Sequence, residues 1–339
     1  MASQGEHALL GHTTGQPSEP GKASPVSDNP PRASRAKDPP GQFPDPVIFL
    51  PKQEHRQTFI ILHGRGSTAE KFAPPILATT TPSGETLQTA FPHAKLIFLT
   101  ASPNRATIYK RSLTHQWFDH WHMEEPGKRQ DLMRAGLRKS AGYVHGVLGR
   151  EMEEVGQGNV VLWGLSQGCA ASLVALLTWG GGPFAAMVGM CGYLPFANHV
   201  EDIAKGGSAE DGDDLFGEDQ GDDDDDDPFC NSGDEEDDSD GFEKGRRVKQ
   251  DLPLQAVTFL RDEIDMEDKA GMVFQEIPVF MGHGTEDDKV PIELGREART
   301  CLELLGADVK MVEYEGLEHW YSDEMLGDIF CFLREKLCL

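Results

Sequence analysis

A serine between two glycines carries the strongest chemical signal in the sequence, at residues 164–168 (GLSQG). The pattern Gly-x-Ser-x-Gly is typical of a tight turn between a strand and a helix that exposes the serine hydroxyl for attack on a carbonyl carbon. The pattern alone is weak, because it arises often by chance. Its surroundings strengthen it, since an apolar run precedes it and small apolar residues follow it. We therefore predict that Ser166 is a nucleophile.

A serine hydroxyl needs a base to take its proton, and the base needs an acid to orient it. In enzymes with this turn both groups follow the serine along the chain, the acid first. The acid is predicted at Asp287, in a polar turn between the apolar run 278–281 and Val290. The neighbouring carboxylates of Glu286 and Asp288 are the alternatives.

The base is predicted at His319, in a loop that follows the apolar run 309–314. Attack by the serine would also create an oxyanion, which backbone N–H groups at a helix start or in a Gly-rich loop can stabilise. The N–H of Gln167 at the start of the following helix is one predicted donor. The N–H of Arg65, in the Gly-rich turn at residues 63–66 (HGRG), is the other.

Short apolar runs alternate with helical patterns along the chain. The apolar runs, read as buried strands, are 59–62, 96–99, 159–163, 185–190, 278–281 and 309–314. The amphipathic or small-residue patterns, read as helices, are 130–155, 168–178, 292–305 and 323–336. This alternation predicts an α/β fold with a mostly parallel central sheet and helices on both faces.

Two stretches of the chain differ in composition from this pattern. Residues 1–45 are rich in Pro, Ser and Gly, and residues 201–250 carry most of the net charge of −26. Chains of this kind bury too little apolar area to fold, so both are predicted to be disordered. Residues 46–339 are therefore predicted to form one domain, which the acidic insertion interrupts at about 201–250. A Ca²⁺ site in the insertion is disfavoured, because the spacing of an EF-hand loop is missing.

Composition also narrows the class of protein. Binding to nucleic acid requires a basic face, and the composition indicates none, so this function is not expected. The six cysteines are scattered, so no metal site and no disulfide framework are expected. No cofactor is required by the predicted chemistry. The uncharged stretch 169–196 is broken by three glycines and a proline, so it is read as a helix and a strand, with no transmembrane segment. A cytoplasmic location is expected.

Several motifs follow one another in a defined order between about Phe59 and Leu337, apart from the acidic insertion. They are 62–66 (LHGRG), 117–119 (WFD), 164–168 (GLSQG), 191–195 (CGYLP), His283 and Gly284 with Asp287 and 290–291 (VP), and Gly316 with His319. Together, these motifs resemble the acyl-protein thioesterase/phospholipase–carboxylesterase family of the α/β-hydrolase superfamily.

The resemblance implies the α/β-hydrolase fold and cleavage of carboxylic esters and thioesters, including acyl groups on protein cysteines and lysophospholipids. It implies a Ser166–Asp287–His319 triad and an oxyanion hole made by the backbone amides of Arg65 and Gln167. Trp117 and Phe118 would line the approach to the site, although core packing is an equal alternative for Phe118.

Three departures from the family pattern concern the substrate more than the chemistry. Cys169 follows Gly168, where relatives often have another glycine. Arg65 stands where an apolar residue is common, which favours a polar or anionic substrate. The acidic insertion has no counterpart in the family pattern.

The hypothesis is a serine hydrolase that acts on small-molecule or acyl-protein substrates through a seryl acyl-enzyme. One alternative is a narrow esterase or lactonase for a small metabolite. Another is a pseudo-enzyme that binds basic partners through the acidic insertion, against which the complete Ser–Asp–His set argues.

Overall fold

The computed structural model describes residues 39–123, 125–207, 251–267 and 271–339. Most of the predicted tail and of the predicted acidic insertion therefore lies outside the described residues. The strands are β1 (Val47–Phe49), β2 (Gln57–Leu62), β3 (Ala94–Leu99), β4 (Pro103–Ala106), β5 (Ser112–His115), β6 (Val160–Leu165), β7 (Ala186–Met190), β8 (Val279–Gly284) and β9 (Val309–Tyr314). The helices are α1 (Ala69–Ala78), α2 (Leu87–Ala90), α3 (Asp131–Val155), α4 (Gln167–Leu177), α5 (Ala197–Ala204), α6 (Leu252–Glu263), α7 (Ile292–Leu304) and α8 (Asp323–Lys336).

A seven-stranded sheet in the order β1-β3-β2-β6-β7-β8-β9 forms the centre of the fold. Every neighbouring pair is parallel except β1 and β3, which are antiparallel. Strands β2, β6 and β8 are buried along their whole length, as expected for a parallel sheet covered on both faces. The predicted mostly parallel sheet of the α/β-hydrolase fold is confirmed.

Alternate residues of the central strands pack into two separate cores. Ile60 and Leu62 belong to the core that contains α3 and α4. Phe59 and Ile61 belong to the core that contains residues of α1 and α8, on the other face. This alternation follows from the period of two along a strand, and it shows why a run without polar residues is needed there.

The apolar stretch 169–196 contains most of α4, then β7, in agreement with the helix and strand read from the sequence. None of the helices in the described ranges is both long and apolar enough to cross a lipid bilayer.

The described part of the predicted tail is packed rather than free. The Phe43 ring stacks on Tyr143 with ring centroids 4.2 Å apart, and it lies 6.3 Å from the Trp117 ring. The N–H of Gly41 donates to the carbonyl of Pro103. Residues 41 and 43 of the predicted tail therefore contact the folded domain, and the boundary at residue 45 stays a prediction.

The first residues of the predicted acidic insertion lie in a helix. Helix α5 continues to Ala204, and Ile203 is buried within it. The residues 208–250 lie outside the described residues, and α6 resumes the fold at Leu252.

Candidate active site

Ser166 lies in the turn between β6 and α4, with the backbone in the left-handed half of the Ramachandran map at φ 56° and ψ −122°. A Cβ atom on Gly164 would lie 2.4 Å from the carbonyl oxygen of Gly168. One on Gly168 would lie 2.6 Å from the carbonyl oxygen of His63, at the end of β2. Both glycines are therefore required by close approach of the backbone, and the turn is the tight one that the motif predicts.

The structure brings the three predicted triad residues together. The Ser166 hydroxyl oxygen lies 2.9 Å from Nε2 of His319. Nδ1 of the same imidazole lies 2.7 Å and 2.9 Å from the two carboxylate oxygens of Asp287. This arrangement allows Nδ1–H to donate to the carboxylate while Nε2 accepts the serine proton.

The two alternative carboxylates are not part of this chain of hydrogen bonds. Glu286 is exposed, and the carboxylate of Asp288 accepts from the ammonium group of Lys289 at the surface. Asp287 is the buried residue of the three, which fits the turn that follows β8 and directs one side chain inward.

The environment of Asp287 keeps its carboxylate ionised. Burial would raise its pKa, but hydrogen bonds from His283, His319 and the N–H of Val290 outweigh burial and hold the pKa well below its usual value. The N–H groups of Lys289 and Val290 both donate to one carboxylate oxygen. Nε2 of His283 lies 3.3 Å from the other oxygen. Sequence reasoning gave His283 no role, although its position four residues before Asp287 was visible.

The two predicted oxyanion donors lie on segments that flank Ser166. Gln167 is the first residue of α4, so its N–H has no acceptor within that helix. A Cβ on Gly64 would lie 3.3 Å from Cβ of Ser166, which places the loop of Arg65 directly against the nucleophile. The amides of Gln167 and Arg65 therefore stay the predicted oxyanion hole.

Trp117 and Phe118 do not line the cleft, contrary to the role that the resemblance implies. Each is only 1% exposed and belongs to the core on the side of α3 and α4. The Trp117 indole N–H donates to the carbonyl of His63, and the Gln167 side chain bonds the backbone of both residues. Both side chains pack in the core behind the turns around Ser166. For Phe118, this is the alternative of core packing that the sequence left open.

An open cleft of about 230 Å³ surrounds Ser166. Its walls mix aromatic, apolar and basic side chains. The lining residues are Gly64, Arg65, Ser67, Phe72, Tyr109, His120, Met123, Leu165, Ser166, Gln167, Tyr193, Lys289, Val290, His319 and Trp320. Sequence reasoning missed His120, Tyr109 and Tyr193, because nothing in their local patterns indicated that they would meet Ser166.

Cys191 lies beside the triad and was noted only as part of a motif. Its thiol donates to the carbonyl of Trp320, and burial raises its pKa to about 12, so it stays protonated. Ligand atoms of Cys191, Asp287 and His319 lie within 4.8 Å of one another. The protonated thiol and the hydrogen bond between Asp287 and His319 favour a triad over a metal site at this place.

The buried His63 gives the fold a pH dependence. Burial lowers its pKa to about 4, and the neutral ring donates from Nδ1 to Gly64 while Nε2 accepts from Ala101. Between pH 6.5 and about 4 the unfolded chain binds a proton here that the folded chain does not, so stability falls as the pH falls. When the pH is lowered from about 7 to 4.5, the free energy of unfolding should fall in both proteins. We expect it to fall by about 2 kcal/mol less in His63→Gln than in the wild type.

Urea denaturation at the two pH values measures this difference. Glutamine keeps an acceptor for Ala101 and cannot take up a proton. His199→Gln, at an exposed histidine on α5, is the control and should lose as much stability as the wild type. Equal losses in all three proteins would contradict the buried, neutral state of His63.

Comparison with known proteins adds an independent observation. A model of the phospholipase/carboxylesterase family matches residues 44–208 and 257–337. The matched ranges contain Ser166, Asp287 and His319 and omit most of the acidic insertion.

Individual relatives agree with this match. The chain is 23% identical over 299 residues to acyl-protein thioesterase 1 of Yarrowia lipolytica, covering 87% of this chain and 98% of the relative. It is 30% identical over 155 residues to acyl-protein thioesterase 1 of Schizosaccharomyces pombe, covering 45% of this chain and 62% of the relative.

Two solved structures show the same fold. Acyl-protein thioesterase 2 of Zea mays superposes with a TM-score of 0.56 at 18% identity, covering 86% of this chain and 98% of the other. SOBER1 of Arabidopsis thaliana gives 0.55 at 19% identity, covering 83% and 99%.

Proposed function

The chain belongs to the phospholipase/carboxylesterase family and is an ester or thioester hydrolase, and we propose that it works through a Ser166–His319–Asp287 triad and a seryl acyl-enzyme. The observation that carries this proposal is the continuous chain of hydrogen bonds from Ser166 through His319 to Asp287. A pseudo-enzyme has no need to keep these three side chains aligned in an open cleft.

In the first half of the reaction, the Ser166 oxygen attacks the carbonyl carbon of the substrate while Nε2 of His319 takes the hydroxyl proton. The carbonyl oxygen becomes an oxyanion, which the N–H groups of Arg65 and Gln167 stabilise. The protonated His319 then gives its proton to the leaving alcohol or thiol, and the acyl group remains on Ser166. Ionised Asp287 balances the positive charge on His319 during these steps.

In the second half, His319 takes a proton from a water molecule, whose oxygen attacks the seryl ester. The same amides stabilise the second oxyanion. Transfer of the proton from His319 to the Ser166 oxygen releases the carboxylic acid and restores the enzyme. Each proton that leaves one group is accounted for at the next.

The substrates are proposed to be acyl esters and thioesters, including acyl groups on protein cysteines. Relatives named acyl-protein thioesterase 1 that align over nearly their whole length support this class. Phe72, Met123 and Trp320 give the cleft an apolar part against which an acyl chain can pack.

A fluorophosphonate probe tests the nucleophile. We expect one covalent adduct by intact-protein mass spectrometry, located at Ser166 by peptide mapping and missing in Ser166→Ala. Ser67→Ala is the matched control, because it removes the other serine that lines the cleft, and it should be labelled like the wild type. An adduct that persists in Ser166→Ala would overturn the assignment of the nucleophile.

A substrate panel tests the class. Long-chain acyl thioesters and short acyl esters, measured at equal concentration with the wild type, separate a deacylase from a narrow esterase. Failure to hydrolyse any member of the panel would contradict the proposed function.

A further inference from the structure

The Arg65 side chain contributes a positive charge to the cleft beside Ser166. Its Nη1 donates to Nε2 of His120 over 2.6 Å, and its Cζ lies 5.1 Å from the centre of the Tyr109 ring. All three residues line the cleft. The guanidinium group is thus held at a defined place in the substrate site instead of extending into solvent.

The partners of Arg65 hold it without neutralising it. His120 is buried, and burial followed by the charge of Arg65 lowers its pKa to about 3, so the ring is neutral and accepts a hydrogen bond. Tyr109 offers the face of its ring, to which a cation is attracted. Within the described residues, Arg65 forms no ion pair with a carboxylate, and its hydrogen bonds to side chains use Nη1 alone.

The other charges near the cleft do not compensate for Arg65. Of the residues that line it, none is an aspartate or a glutamate. The ammonium group of Lys289 pairs with Asp288 over 2.7 Å at the surface. The carboxylate of Asp287 is fully covered and engaged by His319 and backbone N–H groups. Among the described residues that line the cleft, Arg65 is therefore the charged side chain without an ion-pair partner, in a chain whose net charge is −26.

A guanidinium group has five N–H donors in a flat fork, which suits carboxylate and phosphate groups. The contacts with His120 and Tyr109 fix one edge and one face of the group, and they leave donors for a ligand. Because the guanidinium group is already ordered and partly desolvated in the free protein, an anion that reaches the fork binds at a preorganised site.

We infer that Arg65 binds an anionic group of the substrate, so that the preferred esters and thioesters carry a carboxylate or phosphate near the scissile carbonyl group. The inference rests on the proposed function, since it places the anion in the cleft of Ser166. It makes Arg65 a specificity residue through its side chain, in addition to the proposed role of its backbone N–H.

Matched pairs of substrates test this inference and show on which side of the scissile bond the anion lies. For the acyl side, the pair is the monoethyl ester of adipic acid and the same ester with a terminal carboxamide. For the leaving-group side, the pair is the hexanoyl ester of glycolic acid and that of glycolamide. Each pair differs by one negative charge at nearly constant shape, and the readout is the ratio of the two kcat/KM values.

In at least one pair, we expect Arg65→Gln to lower the charged-to-neutral ratio by about tenfold or more relative to the wild type, because a charge-assisted hydrogen bond is lost. Arg105→Gln removes an equal charge from an exposed position on β4 outside the cleft, and it should keep the wild-type ratio. Arg65→Lys keeps the charge but loses the fork, so its ratio should lie between those of the wild type and Arg65→Gln.

The wild type alone provides a further measurement, which does not depend on folding of the variants. Its charged-to-neutral ratio should fall as NaCl is raised, since salt screens the attraction. Unchanged ratios in Arg65→Gln for both pairs, or a wild-type ratio that does not respond to salt, would overturn the inference. Hydrolysis of the neutral esters would still support the proposed function in that case, whereas loss of all hydrolysis in the wild type would contradict that function itself.

Discussion

Replacing either Ser166 or His319 by alanine is expected to lower kcat for ester hydrolysis by about a millionfold, and replacing both is expected to lower it no further. The reason is that the two groups act as one unit. A serine hydroxyl without its base is a poor nucleophile, and the base alone has no proton to take. The hydrogen bond of 2.9 Å between Ser166 and His319 makes this coupling direct.

Steady-state kinetics of the two single variants and the double variant measure this coupling. His199→Ala, which removes an exposed histidine outside the cleft, is the control and should stay within a few-fold of the wild type. Losses that multiply in the double variant would mean that Ser166 and His319 act independently, which contradicts the proposed triad.

The second large effect is expected from Gly168→Ala, which should lower the free energy of unfolding by about 3 kcal/mol. The new Cβ would lie 2.6 Å from the carbonyl oxygens of both Leu62 and His63. These are backbone atoms at the end of a central strand, so neither can rotate away. Helix α4 or β2 must shift, and the loop of Arg65 shifts with them, so kcat should fall as well.

Urea denaturation followed by far-UV circular dichroism measures the loss of stability. Gly142→Ala is the matched control, because a Cβ there meets no atom within 4 Å in the middle of α3. That variant should gain about 0.5 to 1 kcal/mol, since alanine is less flexible than glycine in the unfolded chain. A stability of Gly168→Ala equal to that of the wild type would show that the turn is looser than the structure indicates.

Short, continuous apolar runs in the sequence predict the central sheet well. The runs 59–62 and 96–99 lie in β2 and β3, because a strand buried on both faces needs continuous apolar residues. Strand β1 and helix α1 are among the elements that gave no such signal. Strand β1 has three residues, and α1 contains Pro74 and Pro75, which are typical of a broken helix. Tertiary packing of Phe72 and Ile76 stabilises α1 despite the prolines.

The three residues of the proposed triad were predictable because their order along the chain follows from the order of the strands. The residues around it were not. Trp117 and Phe118 are aromatic, which fits a pocket wall and a core equally well, and only the register of the loop against α3 decides. A Cβ on Gly136 of α3 would lie 2.5 Å from Cα of Phe118, so the helix closes over this loop. The contact of Arg65 with His120 joins residues 55 positions apart, which no local pattern reveals.

The hydrogen bond between Ser166 and His319 spans 153 positions of the chain, which include the acidic insertion and three further strands of the sheet. Contacts of such high sequence separation form late in folding, because their loop-closure entropy is offset only when the intervening parallel strands are in place. A nascent or partly folded chain therefore has a serine in a turn but no base beside it. Under the proposed mechanism, we therefore expect hydrolytic activity to appear only when the sheet is complete.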